Sequence, residues 1–151
     1  MTKQDYTATI TVDQSQKKAF DAIRNVRGWW SEEIKGRTEE FGDEFNYHYQ
    51  DVHRCAMKLV ELVPEKRVVW LTTGNLFSFT EDKTEWKNTK VVFDVAEKSA
   101  KTEISFTHVG LVPANECNNV CSDAWQSYIR GSLKSLIETG KGSPNAKEKS
   151  N

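Results

Sequence analysis

The chain has 151 residues, of which 37% are hydrophobic and 11% aromatic, and its formal net charge is −1. The balance of 21 basic against 22 acidic residues argues against a nucleic-acid-binding surface built on overall basic charge. No apolar run reaches the roughly 18 residues of a membrane-spanning helix, and the polar start of the chain lacks a signal-peptide core. We therefore expect a cytoplasmic protein without a membrane span.

The first part of the chain predicts one strand and two short helices. Residues 5–12 alternate apolar and polar side chains, which is typical of a half-buried strand. Asp13 or Ser15 can cap a short helix, because their side-chain oxygens accept from backbone N–H groups of the first turn. The apolar stripe of this helix is Ala19, Phe20, Ile23 and Val26. Gly28 breaks the helix, and Trp29-Trp30 opens a second helical turn in which at least one ring faces the interior.

From Gly42 the apolar period changes from 3.6 to 2, which predicts a run of antiparallel strands. Turns are expected at 50–51, 64–66 and 97–100, and a bulge near Val60-Glu61, where the alternation loses its phase. Residues 74–83 fit either an edge strand or an aromatic loop. The predicted strands cover 45–49, 53–60, 67–72, 84–95 and 102–108.

The last predicted element is a long amphipathic helix over 115–139. Its apolar residues recur at gaps of mostly three, four and one, the repeat of an α-helix, and Gly140 supplies a C-terminal stop. Strands and helices are segregated along the chain, which indicates an α+β fold in which this helix covers the concave face of one curved sheet. We expect a single domain over 1–140 and a disordered tail over 141–151.

Seven short stretches in this order resemble the START-like superfamily, also called SRPBCC, and within it the branch named for the activator of heat-shock-protein-90 ATPase homologue. They are Ile10-Thr-Val-Asp13, Phe20-Asp-Ala-Ile23, Gly28-Trp29-Trp30, Gly42-Asp-Glu-Phe45, Leu62-Val-Pro-Glu-Lys-Arg67-Val-Val-Trp70, Phe106-Thr-His-Val-Gly110-Leu111 and Cys121-Ser-Asp-Ala-Trp125. The resemblance implies a helix-grip fold of the Bet v type, a curved antiparallel sheet wrapped around the long C-terminal helix. It also implies a cavity between sheet and helix for apolar or amphipathic small molecules.

Aromatic residues are the main functional signal, since Tyr and Trp combine apolar surface with a polar group that can orient a ligand. The alternative for each residue is that it fills a compact core, because alternation alone does not distinguish a cavity wall from packing. The candidate ligand-binding residues are Tyr47, Tyr49, Met57, Trp70, Phe93, Phe106, His108, Trp125, Tyr128 and Ile129. Trp70, Trp125 and Tyr128 are the first candidates for the walls, and His108 or Tyr49 for the polar anchor.

His108 could act as a general base or as a donor at the mouth of the cavity. The alternative is a sheet histidine whose ring nitrogens are satisfied within the protein. His48 and His53 flank a predicted hairpin turn, where we expect them to contact solvent.

Three cysteines are an odd number, which favours free thiols over a disulfide framework. Cys117 and Cys121 could contribute to a metal site with Cys55 or a histidine, but a single Cys-x3-Cys spacing is a weak zinc signal. Structural thiols are the interpretation that we adopt. No carboxylate pair, nucleophile elbow or phosphate-binding glycine loop is present, so no catalytic residue, metal or cofactor is assigned.

The leading hypothesis is a binding protein for an apolar, aromatic or lipid-like molecule, with no assigned reaction. One alternative is an enzyme of the cyclase or hydrolase kind that uses the same cavity, as the resemblance implies for some relatives. Another is a protein-interaction module of the co-chaperone type, with a chaperone as partner. The sequence leaves the oligomeric state open.

Overall fold

The structure is a computed structural model that describes residues 5–78, 86–112 and 118–146. Seven strands form one sheet: β1 (Tyr6–Val12), β2 (Lys35–Gly36), β3 (Glu44–Tyr49), β4 (His53–Val63), β5 (Arg67–Phe77), β6 (Lys90–Lys98) and β7 (Lys101–Val109). Two short helices, α1 (Gln16–Arg24) and α2 (Val26–Trp29), follow β1. The C-terminal helix consists of α3 (Asn118–Gln126), a π-helical segment (Ser127–Leu133) and α4 (Lys134–Thr139).

The strand order across the sheet is β1-β7-β6-β5-β4-β3-β2, and every neighbouring pair is antiparallel. Two register shifts interrupt the pairing of β4 with β5, between Ala56 and Met57 and between Leu59 and Glu61. The second confirms the predicted bulge near Val60-Glu61. Because bulges bend a strand and increase its twist, they help the sheet to curve around the C-terminal helix. The predicted α+β fold is confirmed.

The short helices place two adjacent tryptophans in the interior. The hydroxyl of Ser15 accepts from the Lys18 backbone N–H at 3.1 Å and caps α1, so Ser15 rather than Asp13 is the cap of the two predicted candidates. Trp29 and Trp30 both lie in the core, with at most 1% of their surface exposed. The turn at the end of α2 sends both rings inward, whereas the sequence required only one of them to be buried.

The largest differences between predicted and observed strand boundaries concern β5 and β6. The ambiguous stretch 74–83 contributes its first four residues to β5, up to Phe77, and residues 79–83 lie outside the described segments. The predicted strand over 84–95 begins only at Lys90, because residues 86–88 form a turn. The described segments also exclude residues 84–85 and residues 115–117, where the predicted C-terminal helix begins. None of the described helices combines the length and hydropathy that a membrane span requires.

Residues 141–146 form a segment that we call the strap, and they lie against the domain, which differs from the predicted disordered tail. The backbone of Asn145 pairs with the loop after α2: its N–H donates to the Trp30 carbonyl at 3.0 Å, and its carbonyl accepts from Glu32 at 2.9 Å. Near the helix, the Ser132 hydroxyl accepts from the Ser143 N–H at 2.7 Å. The other tail residues, 147–151, lie outside the described segments.

Candidate functional site

The centre of the molecule is a continuous network of packed rings. Trp70 stacks on Trp29 and Trp30, with centroid distances of 6.3 and 5.8 Å, and meets Phe93 edge-on at 5.0 Å. Six of the ten predicted ligand residues lie in this interior with no exposed surface: Met57, Trp70, Phe93, Phe106, His108 and Ile129. None of the six lines the cavity described next. For these residues the structure agrees with the alternative interpretation, that they fill the core.

A cavity of about 230 Å³ lies between the β3–β5 side of the sheet and α3. It brings together the other four predicted residues, Tyr47, Tyr49, Trp125 and Tyr128. Eight further residues complete its described lining: Trp30, Val52, His53, Phe77, Trp86, Val120, Cys121 and Ala124. Rings dominate the walls, and the described lining contains no carboxylate, lysine or arginine. The arrangement suits a small, uncharged, largely apolar molecule.

Sequence reasoning missed three of the most buried wall residues, Trp30, Phe77 and Trp86. Trp30 stacks face to face on Tyr47 at 4.3 Å, and Trp86 stacks on Trp125 at 5.6 Å. Trp86 directly follows residues 79–85, which the structure does not describe, and the sequence predicts a strand at this position. No local pattern indicates its position, because the contact with Trp125 joins residues that are distant in the chain.

His53 is buried in the cavity wall, which corrects the prediction that it contacts solvent. The sequence contained a signal for this burial, because His53 alternates with Cys55 and Met57 on β4. Residues two apart on a strand face the same side, and here all three face the interior. The Nε2 atom hydrogen-bonds Asn75 Oδ1 at 2.7 Å. Burial lowers the pKa of His53 to about 4, since the interior disfavours the charged ring, and the Asn75 hydrogen bond opposes this only in part.

His108 is enclosed in the core rather than placed at the cavity mouth. Its Nδ1 accepts from the Trp125 indole N–H at 3.0 Å, so the neutral ring carries its proton on Nε2, which donates to the Thr89 hydroxyl at 2.8 Å. Burial lowers the pKa of His108 to about 3, and the nearby His53 adds to the shift. With both nitrogens occupied, His108 has no atom available for a ligand, so the structure removes it as polar anchor or general base.

Tyr47 and Tyr128 form a polar group at another part of the cavity wall. The Asn145 side-chain N–H group donates to both hydroxyls, at 3.2 and 2.8 Å, and the two hydroxyls lie 3.4 Å apart. One phenol can donate to the other, which leaves the second O–H hydrogen without an acceptor among the described residues. Burial raises the pKa of the Tyr47 phenol, and the neighbouring Tyr128 raises it further. The Tyr47 hydroxyl therefore stays protonated.

A second hollow of about 660 Å³ lies on the outer side of the sheet, with the outward-facing residues Asn46, His48, Arg54 and Leu76 in its lining. It is larger than the cavity, but Leu76 is 50% exposed and the lining includes several charged side chains. A surface groove of this kind holds an apolar molecule poorly, because the ligand would take charged and polar walls out of water without offering them a partner. The cavity under α3 is therefore the candidate site.

The described cysteines, Cys55 and Cys121, are buried and form no disulfide, as expected for structural thiols. Burial raises the pKa of the Cys55 thiol, which keeps it in the unreactive neutral form. No group of three or more potential metal ligands occurs in the described parts of the chain. Cys117, the other half of the Cys-x3-Cys spacing, lies outside them.

Comparison with known proteins gives one family and a set of similar folds. The family model described as activator of Hsp90 ATPase homolog 1-like protein matches residues 12–138. The solution structure of the Aha1 dimer from Colwellia psychrerythraea is 23% identical, with a TM-score of 0.75, and the match covers 92% of this chain and 99% of the other. Sequence comparison with curated proteins finds no significant match.

Two further solved structures share the fold at lower identity. BH1534 from Bacillus halodurans is 13% identical, with a TM-score of 0.65 and coverage of 91% of this chain and 100% of the other. DynU16, described as a putative protein in the dynemicin biosynthetic locus, is 14% identical, with a TM-score of 0.68. That match covers 95% of this chain and 51% of DynU16. At these identities the likeness is one of fold.

Proposed function

The chain belongs to the family of activator of Hsp90 ATPase homolog 1-like proteins, and from this premise we propose that it binds a small, largely apolar ring compound in the cavity beneath α3. The observation that carries the proposal is the lining itself. Aromatic side chains from the loop after α2, from β3 and β5, and from the C-terminal helix converge on a space without a charged carboxylate, lysine or arginine in its described walls.

The size of the cavity favours a ligand smaller than a typical drug molecule. Pockets for drug-sized ligands measure roughly 300–1,000 Å³, and this one measures about 230 Å³. Flat rings suit the walls, because eight of the twelve described lining residues carry an aromatic ring. A lipid-like ligand with a long chain fits less well, since the core rings fill the interior beyond the cavity.

The proposal is tested by filling the cavity. Ala124 is half-buried in the lining, and in Ala124→Phe the added ring occupies the space that a ligand needs. We expect naphthalene-sized compounds to shift the amide signals of α3 and β3 in NMR titrations of the wild type, and to bind Ala124→Phe at least about tenfold more weakly. Leu76→Phe on the outer groove is the matched control. No binding to the wild type, or equal binding to Ala124→Phe, contradicts the proposal.

The cyclase or hydrolase alternative gains no support from the geometry of the site. Proton transfer requires a base within hydrogen-bond reach of the ligand, usually assisted by a second titratable group. His108, the base assigned to this alternative, is hydrogen-bonded at both nitrogens. His53 reaches the cavity, but no carboxylate accompanies it in the described lining.

The family description favours one other function, interaction with a chaperone. A docking surface for a protein partner requires a contiguous exposed apolar patch. The exposed Phe41, Val63 and Val109 come from separate elements, whereas Tyr49 and Val120 both border the cavity. Pull-down with a purified chaperone distinguishes the two functions, since a docking surface outside the cavity is insensitive to Ala124→Phe. The cytoplasmic location stays a prediction.

A further inference from the structure

His53 differs from the other polar groups of the cavity wall in the way its two ring nitrogens are used. Nε2 lies 2.7 Å from the side-chain carbonyl oxygen of Asn75, which can only accept a hydrogen bond. Nε2 therefore carries the proton of the neutral ring, and Nδ1 carries a lone pair. Nδ1 makes no hydrogen bond with any residue of the described segments. It is also not one of the fully buried polar atoms that lack a partner, so a ligand in the cavity can reach it.

The His53 ring is held in this orientation by its neighbours. Phe77 stacks against it at 4.3 Å, Trp86 meets it at 86° and 4.6 Å, and Tyr47 packs at 5.3 Å. A ring clamped on three sides cannot turn over without disturbing those contacts. A flip would also break the hydrogen bond to Asn75 and leave a buried polar atom unpaired.

Resting on the proposed function, we propose that His53 determines the specificity of the cavity by offering Nδ1 as a hydrogen-bond acceptor. The ligand class that follows is a neutral ring compound with one O–H or N–H donor, such as a phenol or an indole. The aromatic rings packed around His53 make this acceptor decisive, because a ligand without a donor leaves Nδ1 unpaired when it displaces water.

Anionic ligands are excluded by the same geometry. The neutral imidazole presents a lone pair to the ligand, and the described lining contains no lysine or arginine to offset a buried negative charge. A carboxylate placed there would lose its hydration without gaining a cationic partner. The site therefore distinguishes a phenol from the corresponding carboxylate as well as from its methyl ether.

The first test determines the tautomer directly. Two-bond ¹H–¹⁵N correlation spectra of the imidazole side chains report which ring nitrogen carries the proton. We expect His53 to be protonated at Nε2 and free at Nδ1 near neutral pH. Protonation at Nδ1 overturns the proposal, and this result needs neither a ligand nor a variant.

The second test uses three probes that share one ring system: 2-naphthol, 2-methoxynaphthalene and 2-naphthoate, titrated at pH 7.5. We expect 2-naphthol to bind about tenfold more tightly than the methyl ether, the effect of one net hydrogen bond to a buried acceptor. In His53→Phe the ring is kept and the acceptor is lost, so the two neutral probes become equal. His48→Phe, the same change on the outer face of the hairpin, preserves the wild-type preference.

The outcomes separate this inference from the proposed function. Equal binding of the two neutral probes to the wild type overturns the role of His53 and leaves the cavity as a binding site. A preference for 2-naphthoate overturns the assigned ligand class. If no probe binds, the proposed function fails together with the inference. A naphthol preference that persists in a folded His53→Phe variant assigns the selectivity to another group and also overturns it.

Discussion

Two buried histidines show how the partners of a side chain decide its use. His53 and His108 both have a pKa lowered by burial, to about 4 and about 3, and both are neutral near pH 7. His108 is hydrogen-bonded at both nitrogens, by Trp125 and Thr89, and is thereby restricted to a structural role. His53 has one nitrogen engaged by Asn75, which leaves the other for a ligand.

The same two pKa shifts predict that acid destabilises the fold. A histidine whose pKa is lower in the folded than in the unfolded chain is protonated first in the unfolded chain. Full stability is therefore present above pH 6.5, the ordinary histidine value, and decreases as the pH falls towards the folded values. At pH 5 we expect a loss of about 2 kcal/mol per histidine, which urea unfolding at pH 7.5 and 5.0 measures.

A variant assigns this pH dependence to the histidines. In His53→Gln the titrating ring is replaced by a neutral amide, so about half of the loss between pH 7.5 and 5.0 should disappear. Among the described residues, the groups in contact with the two rings are uncharged, and protonated His53 is the charge that lowers the pKa of His108 further. An unchanged pH dependence in the variant would contradict the assignment.

At the scale of the element, the C-terminal helix has an unusual spacing of buried residues. Five buried positions recur at every fourth residue: Cys121, Trp125, Ile129, Leu133 and Ile137. In a regular α-helix, residues four apart differ in direction by about 40°. Over the four intervals from Cys121 to Ile137 this difference would turn the last side chain towards the opposite face of the helix. The wider turns of the π-helical segment reduce this drift and keep all five on the sheet.

Two glycines of the C-terminal helix predict opposite effects of one substitution. Gly131 lies in the exposed side of the π-helical segment, and a Cβ there meets nothing within 4 Å, so Gly131→Ala should stabilise the protein by about 0.5–1 kcal/mol. Gly140 ends α4 with a φ of 83°, where Gly140→Ala should cost about 1 kcal/mol. Urea unfolding of the two variants checks the signs, and destabilisation by Gly131→Ala would contradict this account.

At the scale of the molecule, the strap connects the segment after the C-terminal helix to the loop after α2 and to β3. Asn145 joins the loop after α2 to the C-terminal helix, through the backbone of Trp30 and Glu32 and through the hydroxyls of Tyr47 and Tyr128. Because both tyrosines line the cavity, the strap holds part of the cavity wall in place. Its docking requires close approach at Gly142, where a Cβ would collide with the Gly28 carbonyl oxygen.

Gly142→Ala should therefore detach the strap while the rest of the fold persists. The expected result is faster amide hydrogen exchange at Glu32 and Asn145, whose backbone N–H groups pair across this contact. Lys141→Ala, one residue earlier with an exposed side chain, is the matched control and should exchange at the wild-type rate. Equal protection in the two variants would show that the strap tolerates the added methyl group.

The amino-acid sequence by itself determined most of the elements and the fold class. Period-two alternation placed β3, β4 and β7, apolar spacing placed the C-terminal helix, and loss of phase located the bulge near Val60-Glu61. These features depend on neighbours in the chain, because side-chain direction repeats every two residues in a strand and every 3.6 in a helix. The same periodicities turned Tyr47, Tyr49, Trp125 and Tyr128 inward, and the family resemblance made them candidates for a cavity wall.

Only the tertiary structure decided which inward-facing rings surround a space and which fill one. Trp70 and Trp125 are both large, apolar and inward in the sequence pattern, yet Trp70 packs against Trp29 and Trp30 in the core whereas Trp125 borders the cavity. That difference depends on how side chains from distant elements share a volume. The roles of His53 and His108 were decided in the same way, because Asn75 and Trp125 are distant from them in sequence and adjacent only in the folded protein.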